Sequence, residues 1–290
     1  MTKFRGTGVA VITPFFEDYS VDYASLTHII NHLIVNGIEY LVALGSTAEA
    51  ATLTLDEKNK IASHFVKINQ NRVPLVIGIG GNDTRAVVHE LKTLNLTGFS
   101  AVLSVSPAYN KPTQEGLYQH FKALAEASPL PIILYNVPGR TGKNVEPKTV
   151  IRLAQDFKNI IGIKEAAGDM VQALELLRTK PADFDIISGD DMIALPMTLA
   201  GGAGVISVIG QGLPKDFSHM IRLGLEGKAK EAYAIQYQIM PAIDMIFAEG
   251  NPGGIKSMMQ QQGLCENVLR LPLVPVSRGL HEQIGLFLNL

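Results

Sequence analysis

An α/β chain closed into a (β/α)8 (TIM) barrel with a C-terminal helical appendix is the fold class that three patterns in this sequence predict. Eight short apolar, β-rich runs punctuate residues 9–209, segments of helical periodicity lie between them, and the strand signals stop after Pro214. Eight strand-then-helix units fit a closed barrel in number and length, whereas an open doubly wound sheet usually has fewer strands.

The runs fall at residues 9–13, 40–44, 75–79, 101–105, 132–136, 160–164, 184–188 and 204–209, each ended by or close to Gly, Pro, Ser or Asp. Most are near-continuously apolar, as strands buried on both faces must be, and this favours parallel pairing. Between them, 23–36 places Leu26, Ile29, Ile30 and Leu33 on one helical side, and 56–69 does the same with Ile61, Phe65 and Ile68. Beyond Pro214 the spacing predicts helices over 216–225, 227–247 and 252–262. A proline-bearing stretch at 271–276 then leads to an amphipathic segment with Leu280, Ile284, Leu286 and Leu288. This divides the chain into a catalytic barrel, 1–225, and a helical region, 226–290. The apolar faces of that region require a cover, either the barrel or a second subunit.

With 47% hydrophobic and 18% charged residues among 290, the chain can bury a large core. A net charge of −2 gives no electrostatic reason to bind nucleic acid or an anionic membrane. Small molecules are the expected partners. One cysteine, Cys265, excludes an internal disulfide framework and suits a reducing, cytoplasmic compartment. No window has the uninterrupted apolar length of a membrane span, and the N-terminal residues lack the apolar core of a signal peptide.

Barrel chemistry gathers at the C-terminal ends of the strands, so the residues there carry the functional reading. The sixth run delivers Lys164 from an apolar strand into the interior, the placement of a Schiff-base amine, because burial disfavours the ammonium and leaves more free amine to attack a carbonyl. A strand-end lysine that snorkels to solvent is the plain alternative. The other ends supply Ser46 and Thr47, Tyr135, Arg140, and Ser188-Gly189-Asp190-Asp191. One amine, two adjacent hydroxyls, a phenol and a guanidinium at one mouth suit carbonyl chemistry on a carboxylate-bearing substrate. Each has a plainer reading: Ser46 with Glu49 resembles a capping box, Tyr135 a packing residue, and Arg140 a solvated charge.

Gly78, Gly80 and Gly81 follow the third run, but Asp83 stands where the dinucleotide fingerprint needs glycine, so close packing accounts for them. His28 and His32 have helical metal-ligand spacing without a third ligand and read as structural or solvent-facing. Asp190 and Asp191 suit a divalent cation or, preferably, the positioning of a loop or helix start. Tyr109 lies in a Pro-rich turn after the fourth run.

Taken together, 114–121 (QEGLYQHF), 134–142 (LYNVPGRTG), 160–166 (IIGIKEA), 187–191 (ISGDD) and 204–208 (GVISV) resemble the class I, pyruvate-dependent aldolases, and among them the dihydrodipicolinate synthase branch, over nearly the whole chain. The resemblance implies that pyruvate forms an imine with Lys164 and that its enamine attacks L-aspartate 4-semialdehyde, with neither metal nor organic cofactor. It assigns Tyr135 as proton donor and acceptor, linked through Ser46 to a Tyr109 that reaches across from a neighbouring subunit. It assigns Thr47 to the pyruvate carboxylate, the backbone at Ile206 and Gly189 to substrate contact, and Arg140 to the carboxylate of the semialdehyde. It also implies a homotetramer built as a dimer of dimers.

Several positions depart from the branch's usual pattern. Gly45-Ser46-Thr47 also resembles the N-acetylneuraminate lyase branch, which shares the imine step, whereas Arg140 argues for the synthase. An idle barrel that binds a keto acid as a sensor is the non-enzymatic alternative. Ala108 stands where a tyrosine commonly precedes the relay tyrosine. Ala50, Leu55, Lys58 and Ala86 replace residue types that similar feedback-sensitive enzymes use to hold lysine, although Asn82 is kept. Weak or absent inhibition by lysine is the expectation.

Overall fold

The structure, a computed structural model, describes residues 3–289. Strands β1 (Gly6–Ala10), β2 (Tyr40–Ala43), β3 (Leu75–Gly78), β4 (Ala101–Val105), β5 (Ile132–Asn136), β6 (Ile160–Glu165), β7 (Asp185–Ser188) and β8 (Gly204–Ser207) pair in parallel in chain order, and β8 closes on β1. Between and after them run α1 (Tyr23–Val35), α2 (Leu55–Asn69), α3 (Thr84–Thr93), α4 (Gln114–Ala127), the single turn α5 (Pro138–Thr141), α6 (Pro147–Asp156), α7 (Met170–Thr179), α8 (Ala194–Leu199) and α9 (Pro214–Leu225). Five of these helices start on side-chain caps that satisfy their first free N–H groups: Asp22 on α1, Thr54 on α2, Asp83 on α3, Thr113 on α4 and Asp169 on α7.

Alternating strand residues divide the core in two. Tyr40, Val42, Val76, Leu103, Ile133, Ile187 and Ile206 fill the barrel, while Leu41, Ile77, Val102, Leu134 and Ile186 pack outward with the helices. Phe4 meets Tyr40 edge-on, 5.5 Å between ring centroids, and the Tyr40 hydroxyl donates to the carbonyl of Val205 at 3.1 Å. These contacts close the N-terminal end of the barrel and leave the other end as the open mouth.

Two strands are offset from the sequence expectation. β1 begins at Gly6, not Val9, because Gly8 faces the ring of Tyr40, where an added Cβ would lie 2.1 Å from a ring carbon. Glycines weaken the apolar signal at the place where the packing demands them. β8 stops at Ser207 because the next two N–H groups, of Val208 and Ile209, donate to the Asp191 carboxylate.

The C-terminal region adds α10 (Ala229–Ala248), α11 (Gly253–Gln261) and α12 (Arg278–Leu288). Ile239, Ile243, Ile246, Ile255, Met258, Leu280 and Ile284 merge with the barrel's outer core; α10 packs on α9 and α8, and α12 packs in turn on α10 and α11, with Leu286 left exposed. Among the described residues no helix is long and apolar enough to cross a membrane.

Candidate active site

A change of register turns Lys164 inward. Ile132 pairs with Ile160 but Ile133 pairs with Gly162, so β6 carries one extra residue, Ile161, at this point. Side chains alternate along a strand, and one inserted residue exchanges the faces of all that follow. Ile160 and Ile163 therefore both pack outward, and Lys164 comes to stand opposite Tyr135, whose ring belongs to the barrel interior. Lys164 is 4% exposed, and its Nζ lies 4.5 Å from the centroid of the Tyr135 ring.

The neighbouring Glu165 points to the other side of the sheet and anchors the strand end. Its buried carboxylate accepts from Asn136 Nδ2, from the Ala167 N–H at 2.8 Å and from Gln172 Nε2 at 3.0 Å. Burial raises its pKa, and these hydrogen bonds oppose that rise.

Above Lys164 opens a cavity of about 550 Å3, bounded by Thr47, Tyr135, Arg140, Gly189 and Asp191, with Ile243, Asp244, Phe247 and Asn251 arriving from the C-terminal region. A cavity of this size with a few convergent polar groups fits a small substrate. Thr47 is buried, and its Oγ1 accepts from Asn251 Nδ2 at 2.9 Å. Arg140, on α5, is exposed at the mouth and donates from Nη2 to the Asn251 carbonyl at 3.2 Å. A Cβ on Gly189 would stand 2.9 Å from Lys164 Cε and 2.6 Å from Ala166 Cβ, so the absence of a side chain there makes room for the lysine.

Ser46 lines a second cavity of about 450 Å3, which shares Tyr135, Arg140 and Asn251 with the first. Neither its hydroxyl nor the Tyr135 phenol has a hydrogen-bond partner among the described residues, and Tyr109 is 88% exposed on the β4–α4 loop, in a left-handed conformation with φ +65°. The tyrosine–serine–tyrosine relay is thus not assembled by hydrogen bonds within one chain. Ile206 is buried inside the barrel, and Val208, two residues on, is the β8-side residue that borders the first cavity.

The capping-box reading of Ser46 and Glu49 is overturned. Residues Ser46–Ala48 form a 3-10 turn, Glu49 adopts φ +54°, and its carboxylate pairs with Lys256; the capping box lies instead at Thr54 and Glu57. Asp190 Oδ1 accepts from the Met192 N–H at 2.8 Å and Asp191 holds the end of β8, so both aspartates position loops. Among the described residues no group of three or more His, Cys, Asp or Glu side chains is arranged for a metal ion. Gly78 abuts the Leu44 carbonyl and Gly80 the Val105 side chain, which is the close packing expected of them.

The signature of the Dihydrodipicolinate synthetase family matches residues 3–289. The chain belongs to this family. It is 62% identical over 287 residues to the 4-hydroxy-tetrahydrodipicolinate synthase of Flavobacterium psychrophilum, covering 99% of this chain and 98% of that protein. Among solved structures it is similar to the dihydrodipicolinate synthase from Thermotoga maritima, with TM-score 0.97, 37% identity, and 99% and 98% of the two chains covered. It is also similar to the dihydrodipicolinate synthase from Acinetobacter baumannii complexed with pyruvate, with TM-score 0.96, 37% identity and the same coverage.

Within the family frame, Asn251 is one of the cavity-lining residues that sequence reasoning did not single out. It precedes a proline in the helical region, far in sequence from every strand end, and no periodicity places it over the mouth. The departures at the second cavity are real surface features: Ala50 and Lys58 line it, Leu55 is 65% exposed, and Asn82 Oδ1 accepts from the Ala108 N–H at 2.8 Å.

Proposed function

We propose that this member of the family is a 4-hydroxy-tetrahydrodipicolinate synthase that condenses pyruvate with L-aspartate 4-semialdehyde in the route to diaminopimelate and lysine. The observation that carries the reading is a buried amine facing a phenol in a cavity that also holds a threonine hydroxyl and an arginine. Lys164 attacks the keto carbon of pyruvate and, with loss of water, forms the imine. Loss of a methyl proton gives the enamine, whose terminal carbon attacks the aldehyde. The substrate amine then closes the ring on the former keto carbon and frees Lys164.

Tyr135 stands where a phenol can move protons to and from the atoms bound at Lys164. Thr47 holds the pyruvate carboxylate, and Arg140, exposed at the mouth, takes that of the semialdehyde with the guanidinium N–H groups that the Asn251 carbonyl leaves available. Ser46 and a Tyr109 supplied by a second subunit complete the proton path in a homotetramer, and Gly189 and the backbone near Ile206 complete the substrate contacts. No metal or organic cofactor takes part, because the imine itself is the electron sink. The reaction belongs to the cytoplasm.

Borohydride reduction in the presence of pyruvate tests the imine, and the mass adduct is expected at Lys164. Arg140→Ala should keep that adduct and lose semialdehyde turnover. Faster cleavage of N-acetylneuraminate than condensation would assign the site to the lyase branch.

A further inference from the structure

Glu49 and Lys256 form a salt bridge of 2.6 Å in which both side chains are fully buried. The pair joins two parts of the chain that are 207 residues apart: the turn carrying Ser46 and Thr47, and helix α11 of the C-terminal region. Every remaining polar valence around it is directed. Glu49 Oε2 accepts from the Arg270 N–H at 3.0 Å, and Lys256 Nζ also donates to the Val268 carbonyl at 2.8 Å and lies 4.3 Å from the centroid of the Phe15 ring.

We propose that Glu49 and Lys256 are positioning residues that hold the Ser46–Thr47 turn at the height where it receives the pyruvate carboxylate. The turn is short and its own N–H bonds are local, Ala48 donating to the Gly45 carbonyl, Glu49 to that of Ser46 and Thr52 to that of Glu49, while one longer-range bond, from the Thr13 hydroxyl, reaches the Ala48 carbonyl at 2.8 Å. The local bonds fix the shape of a turn but not its distance from Lys164, which sits on another strand. Thr13 holds the turn's backbone from the β1 side, and the grip on its side chains comes from α11 and from Asn251, two residues before that helix. Lys256 holds the carboxylate two residues beyond Thr47, and Asn251 holds Thr47 Oγ1 itself. A salt bridge in a dry interior is strong and directional only while both partners stay paired and hydrogen-bonded, as these are. The helical region thereby sets the geometry of the substrate loop. A displacement of about an ångström in a substrate-holding group can cost up to about a hundredfold in rate.

This inference rests on the imine reading, and pyruvate trapping in the unaltered enzyme checks that reading separately. Two variants test the positioning role. Glu49→Asp keeps both charges and shortens the tether by one methylene. Glu49→Gln combined with Lys256→Met removes both charges together and leaves no buried ion unpaired, while the glutamine oxygen still accepts from Arg270. In each, KM for pyruvate should rise by about tenfold or more and borohydride trapping should slow, with KM for the semialdehyde changing far less. The double variant should melt close to the parent yet keep the raised pyruvate KM. If either variant folds and shows the parental pyruvate KM and trapping rate, the pair is only structural and the proposal fails. If the unaltered enzyme gives no adduct, the imine reading fails first. If the double variant is far less stable than Glu49→Asp and Glu49→Asp has parental kinetics, the pair serves stability alone.

Discussion

Tyr135 and Lys164 are ladder partners on β5 and β6, and they face one another only because Ile161 is an extra residue in β6. An unbroken alternation would send Lys164 outward with Ile160 toward the helices. The bulge therefore gives the strand two inward-packing residues, Ile161 and Lys164, at a spacing that regular pleating forbids.

From this facing pair follows the first prediction. Tyr135→Phe keeps the ring beside the amine and deletes only the phenol. The turnover rate should fall by about a hundredfold or more, the usual size of a general acid–base contribution. Pyruvate trapping at Lys164 should persist, and KM for pyruvate should change little. Steady-state kinetics with intact-mass analysis of the reduced adduct would separate the two effects, and parental turnover in this variant would remove Tyr135 from the proton path.

Gly189→Ala tests the room around the nucleophile. The new methyl would meet Lys164 Cε at 2.9 Å and Ala166 Cβ at 2.6 Å, closer than ordinary packing allows. The lysine stem must move, so trapping with pyruvate should slow, and crowding should lower stability by about 1–3 kcal/mol. A thermal melt and a trapping time course read both quantities.

The second cavity yields a regulatory prediction. Ala50 offers no hydroxyl and Lys58 brings a positive charge to the wall of this cavity, at two of the positions that, by the resemblance, hold the cationic inhibitor in feedback-sensitive relatives. Saturating L-lysine should leave condensation largely uninhibited in a steady-state assay. Potent inhibition would mean that the retained Asn82, or a second subunit, supplies the missing contacts.

The fold was legible because buried parallel strands are near-continuous apolar runs, and seven of the eight begin within one residue of the expected position. β1 was misplaced because Gly6, at φ +104° beside the Glu39 side chain, and Gly8, facing the Tyr40 ring, carry no apolar signal. Lys164, Thr47, Tyr135 and Arg140 were legible because each closely follows or ends a strand. Asn251, Lys256 and the walls given by Ile243 and Phe247 were not, since helical periodicity identifies a buried face without saying which part of the barrel it covers. Glu49 was misread for a related reason: the spacing Ser-x-x-Glu is local, and the partner that claims the carboxylate is 207 residues away.

Asp191 predicts a pH dependence whose sign differs from that of most carboxylates. Burial raises its pKa to about 6, and the Ser207 hydroxyl and the Ile209 and Val208 N–H groups only partly offset that rise. The folded protein thus holds a proton on this group over the window between its ordinary value of 3.8 and about 6, where the unfolded chain has already released it. Stability from this group is accordingly present below that window and lost as pH rises through it. The full difference is on the order of 3 kcal/mol. Asp191→Asn removes the titration and keeps one side-chain oxygen to accept from the end of β8. The parent should gain stability relative to this variant as pH falls from 7 to 4.5, in paired thermal melts across the range. A constant difference between the two proteins would show that Asp191 titrates like an exposed carboxylate, and the anchoring of β8 by a desolvated carboxyl group would then have to be abandoned.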